Sequence, residues 1–205
     1  MTIATIADRS AWLSGMDRAG KTRHHVISEW RKSGKSGPTP SAFKQWTIIH
    51  YAHIYGAETF VETGTGDGHT LAALRPFFNA LYSIEPRAEA FPGHQANFGE
   101  DLAIHLIQGD SADELPKILH ALKKAEATCL FWLDGKSMKR TVVRMDLESV
   151  LEWGRRAVVL VDDTCSFGGD TSAMRWLRGE ALNAGYGVAL EDSIIRLTHE
   201  DLETT

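Results

Sequence analysis

Residues 59–70 read TFVETGTGDGHT, with Gly64, Gly66 and Gly68 at alternate positions behind a β-branched and aromatic run, and Glu62 two residues ahead of them. A backbone that bare lets a ligand approach without meeting Cβ atoms. A dinucleotide fingerprint needs glycine at the first, third and sixth positions, and counting from Gly64 the sixth is His69. A phosphate loop needs Gly-Lys-Ser/Thr, and here Gly68 is followed by His69 and Thr70. Both readings fail. Glu62 would repel a pyrophosphate and suits a ligand with a cationic amino group. Further carboxylates close short apolar runs: Glu85 after ALYSI, Asp110 after IHLIQG, Asp134 after CLFWL, and Asp162-Asp163 after VVLV. In open parallel sheets ligands sit beyond the C-terminal strand ends, where strand order reverses. The acids therefore read as a rim around one crevice, although loops after strands are polar for general reasons too.

The elements that must position this rim follow from the pattern of apolar residues. A helical stretch is expected over 4–32, anchored by Trp12, Leu13, Val26, Ile27 and Trp30, then a Gly/Ser/Pro linker, KSGKSGPTP, over 32–40. Residues 41–56 carry Phe43, Trp46, Ile49 and Ile54 at helical spacing, with Pro40 suited to the start and Gly56 to the end. From residue 59 the chain alternates strand and helix through five strands, with a helical break expected near Pro92-Gly93. Near-continuous apolar strands alternating with helices mean a parallel sheet covered on both faces. The closing runs GVALEDS and IIRLTHED leave no room for a helix between them and must run in opposite directions. The expected fold class is α/β: a doubly wound, Rossmann-like, mostly parallel sheet with an antiparallel C-terminal hairpin, preceded by N-terminal helices. The expected division is 1–40, a helical extension and linker, and 41–205, the ligand-binding domain.

With 205 residues the chain is long enough for one domain with a real core, and no repeat or low-complexity tract interrupts it. No apolar run could span a bilayer, and the N-terminus lacks the basic start and apolar block of a secretory signal. Two cysteines, Cys129 and Cys165, fit free thiols in a reducing cytoplasm. The net charge of −5 is uneven. Residues 1–45 hold eight Lys/Arg (Arg9, Arg18, Lys21, Arg23, Arg31, Lys32, Lys35, Lys44) against Asp8, Asp17 and Glu29, a net +5; the rest carries 14 Lys/Arg and 24 acids, a net −10. A basic arm on an acidic body could draw anionic partners; a solvated face that pairs with the body is the expected reading.

The ordered set FVETGTGDG, YSIE, GDS, FWLDG and DD resembles the class I S-adenosylmethionine-dependent methyltransferases over about residues 41–200. More narrowly it resembles a bacterial group of them with a Pro-rich turn and a helix ahead of the glycine motif. The resemblance implies the class I methyltransferase fold and an S-adenosyl-L-methionine site. In it Glu62 would hold the amino-acid end, directly or through water, and Gly64, Gly66 and Gly68 would admit the methionine part and ribose. Glu85 would accept both ribose hydroxyls, and Asp110, with Ser111 close by, would accept from the adenine amine. A carboxylate suits a diol because it accepts two hydrogen bonds.

Asp134, Asp162 and Asp163 resemble the acids of the metal-dependent O-methyltransferases. Three hard oxygen ligands suit Mg²⁺, which would lower a hydroxyl's pKa and orient the oxyanion. The rival reading has Asp134 touching the cofactor's methionine end or the acceptor, and Asp162 capping the following helix. Lys136 stands where the bacterial group has His, LDGK in place of LDGH. It reads either as a general base or as part of a basic patch with Lys139 and Arg140 that clamps an anionic substrate. His24, His25, His50 and His53 read as helix-surface residues, and His69 as lining the site. The expected activity is methyl transfer to a small-molecule acceptor, on oxygen. Alternatives are a nucleic-acid methyltransferase guided by the basic arm, or a non-catalytic cofactor-binding module. The acceptor would be held by the N-terminal helices and loops 136–144 and 164–172. The N-terminal segment could be a lid or the arm of a homodimer; neither nucleic acid nor membrane is the expected partner.

Overall fold

A computed structural model describes residues 6–15, 20–35, 38–123, 128–134, 140–162 and 171–204. Lys136, Asp163 and Cys165 lie outside them, as do most of the two loops expected to hold an acceptor.

The N-terminal stretch forms two helices in place of the single one expected: α1 (Ile6–Ser14) and α2 (Arg23–Lys32). Gly15 and Gly20 separate them; a Cβ on Gly15 would fall 2.5 Å from the Arg23 guanidinium, and Gly20 has φ +71°. Thr22 then caps α2, its Oγ1 accepting from the His25 amide at 3.2 Å, a start signal that helical spacing alone conceals. Helix α3 (Ser41–Ile54) follows the linker and leads into β1 (Ala57–Thr63).

Alternation then runs as expected: α4 (His69–Leu74) with a 3₁₀ turn (Arg75–Phe77), β2 (Ala80–Glu85), α5 (Phe91–Phe98), β3 (Ile104–Gln108), α6 (Ser111–Leu122), β4 (Thr128–Leu133), α7 (Arg140–Glu152), β5 (Ala157–Val161), α8 (Thr171–Asn183), β6 (Tyr186–Glu191) and β7 (Ile194–His199). Pro92 does not break α5. It lies in the first turn, where its missing N–H has no intrahelical partner to lose, so the helix begins where a break was expected.

The sheet has seven strands in the order β3-β2-β1-β4-β5-β7-β6, the first five parallel and β7 antiparallel to both neighbours. The β6–β7 turn is made by Asp192 and Ser193, both at positive φ, the two-residue geometry that matches strand twist. Strand alternation divides the core in two. Phe60, Leu130, Trp132, Val158 and Leu160 pack under α1–α4, and Val61, Phe131, Leu133, Val159 and Val161 under α6–α8. Each such side chain, fully buried, contributes about 1.5–3 kcal/mol. Strand order reverses between β1 and β4, which opens the crevice at their C-terminal ends.

Candidate functional site

Register decides which side chains meet there. Thr63 pairs with Leu133 and Leu133 with Val161, and the Asp162 amide continues the ladder to the Leu133 carbonyl at 3.0 Å. Gly64, Asp134 and Asp162 therefore stand level, one residue beyond their strands, with neighbouring strands about 4.8 Å apart. By alternation Glu62, Asp134 and Asp162, with Ser83 and Glu85 of β2, face the α3 side of the sheet.

The glycine loop leaves β1 in a tight reversal. The Gly64 amide donates to the Ile84 carbonyl at 2.9 Å, and all three loop glycines have positive φ: 92°, 59° and 75°. A Cβ on Gly68 would fall 2.7 Å from the Phe98 ring, whereas one on Gly66 would project into open space. Gly68 is thus bare for packing and Gly66 on the side a ligand would approach.

Glu62 is buried. Its Oε1 accepts from Ser83 Oγ at 2.6 Å, and Thr65 Oγ1 lies 2.7 Å from the same hydroxyl. Burial pushes its pKa up to about 8; the Ser83 hydrogen bond opposes that, and the nearby Asp134 and Glu85 add to it. At neutral pH the side chain is therefore mostly protonated, and it would ionise to receive a cation.

Glu85 lies across the loop and is spoken for on both oxygens. Oε1 accepts from the Arg87 amide (3.0 Å) and Nε (2.8 Å); Oε2 accepts from Arg87 Nη2 (3.0 Å) and the Gly66 amide (3.2 Å). Arg87 Nη2 also reaches the Gly66 carbonyl at 3.0 Å, and buried His94 lies 3.9 Å from Glu85. Burial acts to raise the carboxyl's pKa, but the hydrogen bonds from Arg87 and Gly66 prevail and hold it below the ordinary value. Arg87, half exposed at 47%, escaped the sequence reading. Its clue is the i+2 spacing from the acid that ends β2.

Asp110 is exposed and caps α6, its Oδ1 accepting from the Ala112 amide at 3.0 Å. Ser111 faces the opposite way. Its hydroxyl is buried and donates to Asp146 Oδ2 of α7 at 2.9 Å, so only its backbone borders the rim. Burial pushes Asp146 up to about 6, opposed by the Ser111 hydrogen bond and reinforced by Asp110. His69 is partly exposed at the start of α4, 3.8 Å from Asp67; His50 stacks on Trp46.

Asp162 is 2% exposed and paired with Lys44 of α3, itself only 12% exposed. Spacing hinted at Lys44, which sits one turn before the fully buried Ile48 on the inward face of α3. Its partner is 118 residues away and could not be inferred from sequence. A divalent ion at the Asp162 carboxylate would face this ammonium, and two like unit charges about 4 Å apart near a protein surface cost about 4 kcal/mol. Among the described residues no three His, Cys, Asp or Glu side chains group to hold a metal. The described part of the Asp134–Asp162–Asp163 set does not fit Mg²⁺.

No family model matches the chain, and no curated protein does. Solved structures do. The O-methyltransferase TomG of Streptomyces achromogenes, involved in tomaymycin synthesis and solved with S-adenosylmethionine, is 17% identical with a TM-score of 0.58 over 93% of each chain. The methyltransferase PaMTH1 of Podospora anserina, solved with S-adenosylhomocysteine, is 14% identical with a TM-score of 0.56 over 98% of this chain and 100% of that one. The 23S rRNA methyltransferase ErmE is 12% identical with a TM-score of 0.55, over 82% and 71%. The chain has the class I methyltransferase fold. At these identities the likeness speaks for the fold, which hosts small-molecule and RNA enzymes alike; function is argued from the site.

Proposed function

We propose that this protein is an S-adenosylmethionine-dependent methyltransferase acting on an oxygen of a small-molecule acceptor. The observation that carries the proposal is the pair of carboxylates flanking the bare loop: buried Glu62, held by Ser83, and hydrogen-bonding Glu85, held across Gly66 at the switch point. When bound, S-adenosylmethionine supplies a sulfonium methyl, which passes to an acceptor lone pair while sulfur keeps the electrons of the broken C–S bond. Glu62 would give up its proton and balance the cofactor's ammonium. Glu85 would accept from the ribose diol once the Arg87 fork moves aside. Asp110 would accept from the adenine amine with the oxygen its cap leaves over, and Asp134 would face the methionine end or the acceptor. An acceptor hydroxyl would lose its proton to solvent or to Lys136. Much of the rate would come from alignment, because the displacement must be in line with sulfur.

A small acceptor is favoured over nucleic acid by the engagement of the basic arm. Lys21 pairs with Glu29, Lys35 with Asp192 and Lys44 with Asp162, while Arg23 and Arg31 lie over the Trp12 and Phe43 rings at 4.6 and 5.4 Å. Among the described residues no helix is long and apolar enough to cross a membrane. Buried Cys129, pushed up to about 12 by burial and only slightly relieved by Arg155, is an unreactive core thiol.

Titration calorimetry with S-adenosylmethionine and S-adenosylhomocysteine tests the reading. Micromolar binding is expected, weakened at least tenfold by Glu85→Ala. Arg87→Ala should tighten it about fivefold, because a fork worth about 1 kcal/mol no longer competes for the carboxylate. Absence of binding by either ligand would defeat the proposal. Binding without turnover across an acceptor screen would favour a non-catalytic module.

A further inference from the structure

We infer that the closed Lys44–Asp162 pair takes the place a divalent metal would need in this crevice, and that methyl transfer here is independent of such a metal. This rests on the methyltransferase reading above, whereas the Lys44–Asp162 contact does not.

Lys44 and Asp162 come from opposite sides of the site. Lys44 belongs to the helix that precedes the sheet, and Asp162 to the end of β5. They meet almost out of reach of water. A buried carboxylate must be paired or lose its charge, and here the partner is built into the fold. The Asp162 amide remains in the strand ladder, so its carboxylate cannot swing far from the level it shares with Asp134. The ammonium approaches from the α3 side, the face toward which Glu62 and Asp134 also point. A metal bridging Asp134 and Asp162 would have to share that face with Lys44. Mg²⁺ also demands near-octahedral oxygen ligands at close range, whereas an ammonium sets no such geometry.

A consequence follows for the acceptor. A metal site rewards a molecule that presents two neighbouring oxygens for chelation. An ammonium already closed on a buried carboxylate offers no such reward. The acceptor that suits this crevice therefore need not chelate: a single hydroxyl suffices, and a catechol gains nothing over a phenol.

Mn²⁺, which reports its own binding by loss of the free-ion paramagnetic resonance signal, is the direct probe. The full chain is titrated with and without saturating S-adenosylhomocysteine. Wild type should leave the Mn²⁺ signal unattenuated at millimolar concentration. Lys44→Gln, which keeps the stem and a hydrogen-bond donor but removes the charge, should bind Mn²⁺ at least tenfold more tightly than wild type. Lys44→Arg should behave as wild type, and Lys44→Gln with Asp162→Asn should lose the gain. Circular dichroism confirms that each variant is folded; if Lys44→Gln is not, Asp162→Asn is compared with wild type instead. Micromolar Mn²⁺ binding by wild type that Asp162→Asn abolishes would overturn the inference, as would a folded Lys44→Gln that gains no Mn²⁺ affinity. So would methyl transfer that stops in EDTA and resumes with Mg²⁺. Failure of wild type to bind S-adenosylhomocysteine in the same samples would sink the methyltransferase proposal instead, leaving the Mn²⁺ result to stand.

Discussion

Glu62 concentrates the chemistry of this crevice in one side chain. Its folded pKa of about 8 lies above the ordinary 4.5, so between those values the folded chain holds a proton that the unfolded chain releases. Stability contributed by this group is complete below about pH 4.5 and declines as pH rises through 8. Glu62→Gln, which mimics the protonated form, should remove that decline: its melting temperature should match wild type near pH 5 and exceed it near pH 8. Ligand binding should show the opposite trend. If the cofactor's ammonium is received by ionised Glu62, S-adenosylhomocysteine affinity should rise toward tenfold per pH unit below about pH 8, with one proton released. Calorimetry in buffers of different ionisation enthalpy measures that proton. A wild-type affinity flat from pH 6 to 8 would mean that Glu62 does not ionise on binding.

At the scale of elements, one motif holds glycines with different jobs. Gly66→Ala and Gly68→Ala each force a left-handed backbone on a residue with a Cβ, costing about 1–2 kcal/mol. Gly68→Ala also drives a methyl into Phe98, so it should cost about 2–4 kcal/mol in total and lower the melting temperature by about 5–15 °C. Gly66→Ala should cost only its backbone strain yet weaken S-adenosylhomocysteine more than Gly68→Ala does, because its methyl occupies the open side of the loop. Equal effects on stability and binding from the two variants would contradict this division. The motif and the strands were legible in the sequence because apolar runs, glycines and terminal acids are local signals. What set the site's electrostatics was not local. Lys44 meets Asp162 across the fold, and Ser111 turns to Asp146 on α7 because α6 presents it to the opposite layer of the core. Arg87 is close in sequence, and its i+2 spacing from the acid that ends β2 is the one local clue that its fork folds back on Glu85. The split between α1 and α2 was missed because their apolar anchors fit a single helix, and only the Thr22 cap and the Gly20 backbone end the period.

For the molecule as a whole, the basic N-terminal segment is packed against the acidic body. Trp12, Ile27 and Trp30 of the first two helices belong to the same buried cluster as Phe43, Ile48 and Ile49 of α3 and Phe60, Trp132 and Leu160 of the sheet. Trp12 stacks on Trp46 at 6.2 Å, and Trp30 lies 4.9 Å from the Phe43 ring. The linker is tied down as well. Lys35 pairs with Asp192, and Thr39 Oγ1 donates to the Asp192 carbonyl at 3.3 Å, fixing it against the β6–β7 turn. Lys35 therefore ties this segment to the acidic body while the tryptophans share its core, and the helix carrying Lys44 is clamped between the two. Segment and sheet should unfold together. Trp30→Ala removes a buried ring of that shared cluster and should cost about 3–5 kcal/mol. Scanning calorimetry should then show a single transition lowered by about 10 °C. An unchanged main transition with a separate early one would mean that the N-terminal helices are an independent unit, and the position of Lys44 would then depend on α3 alone.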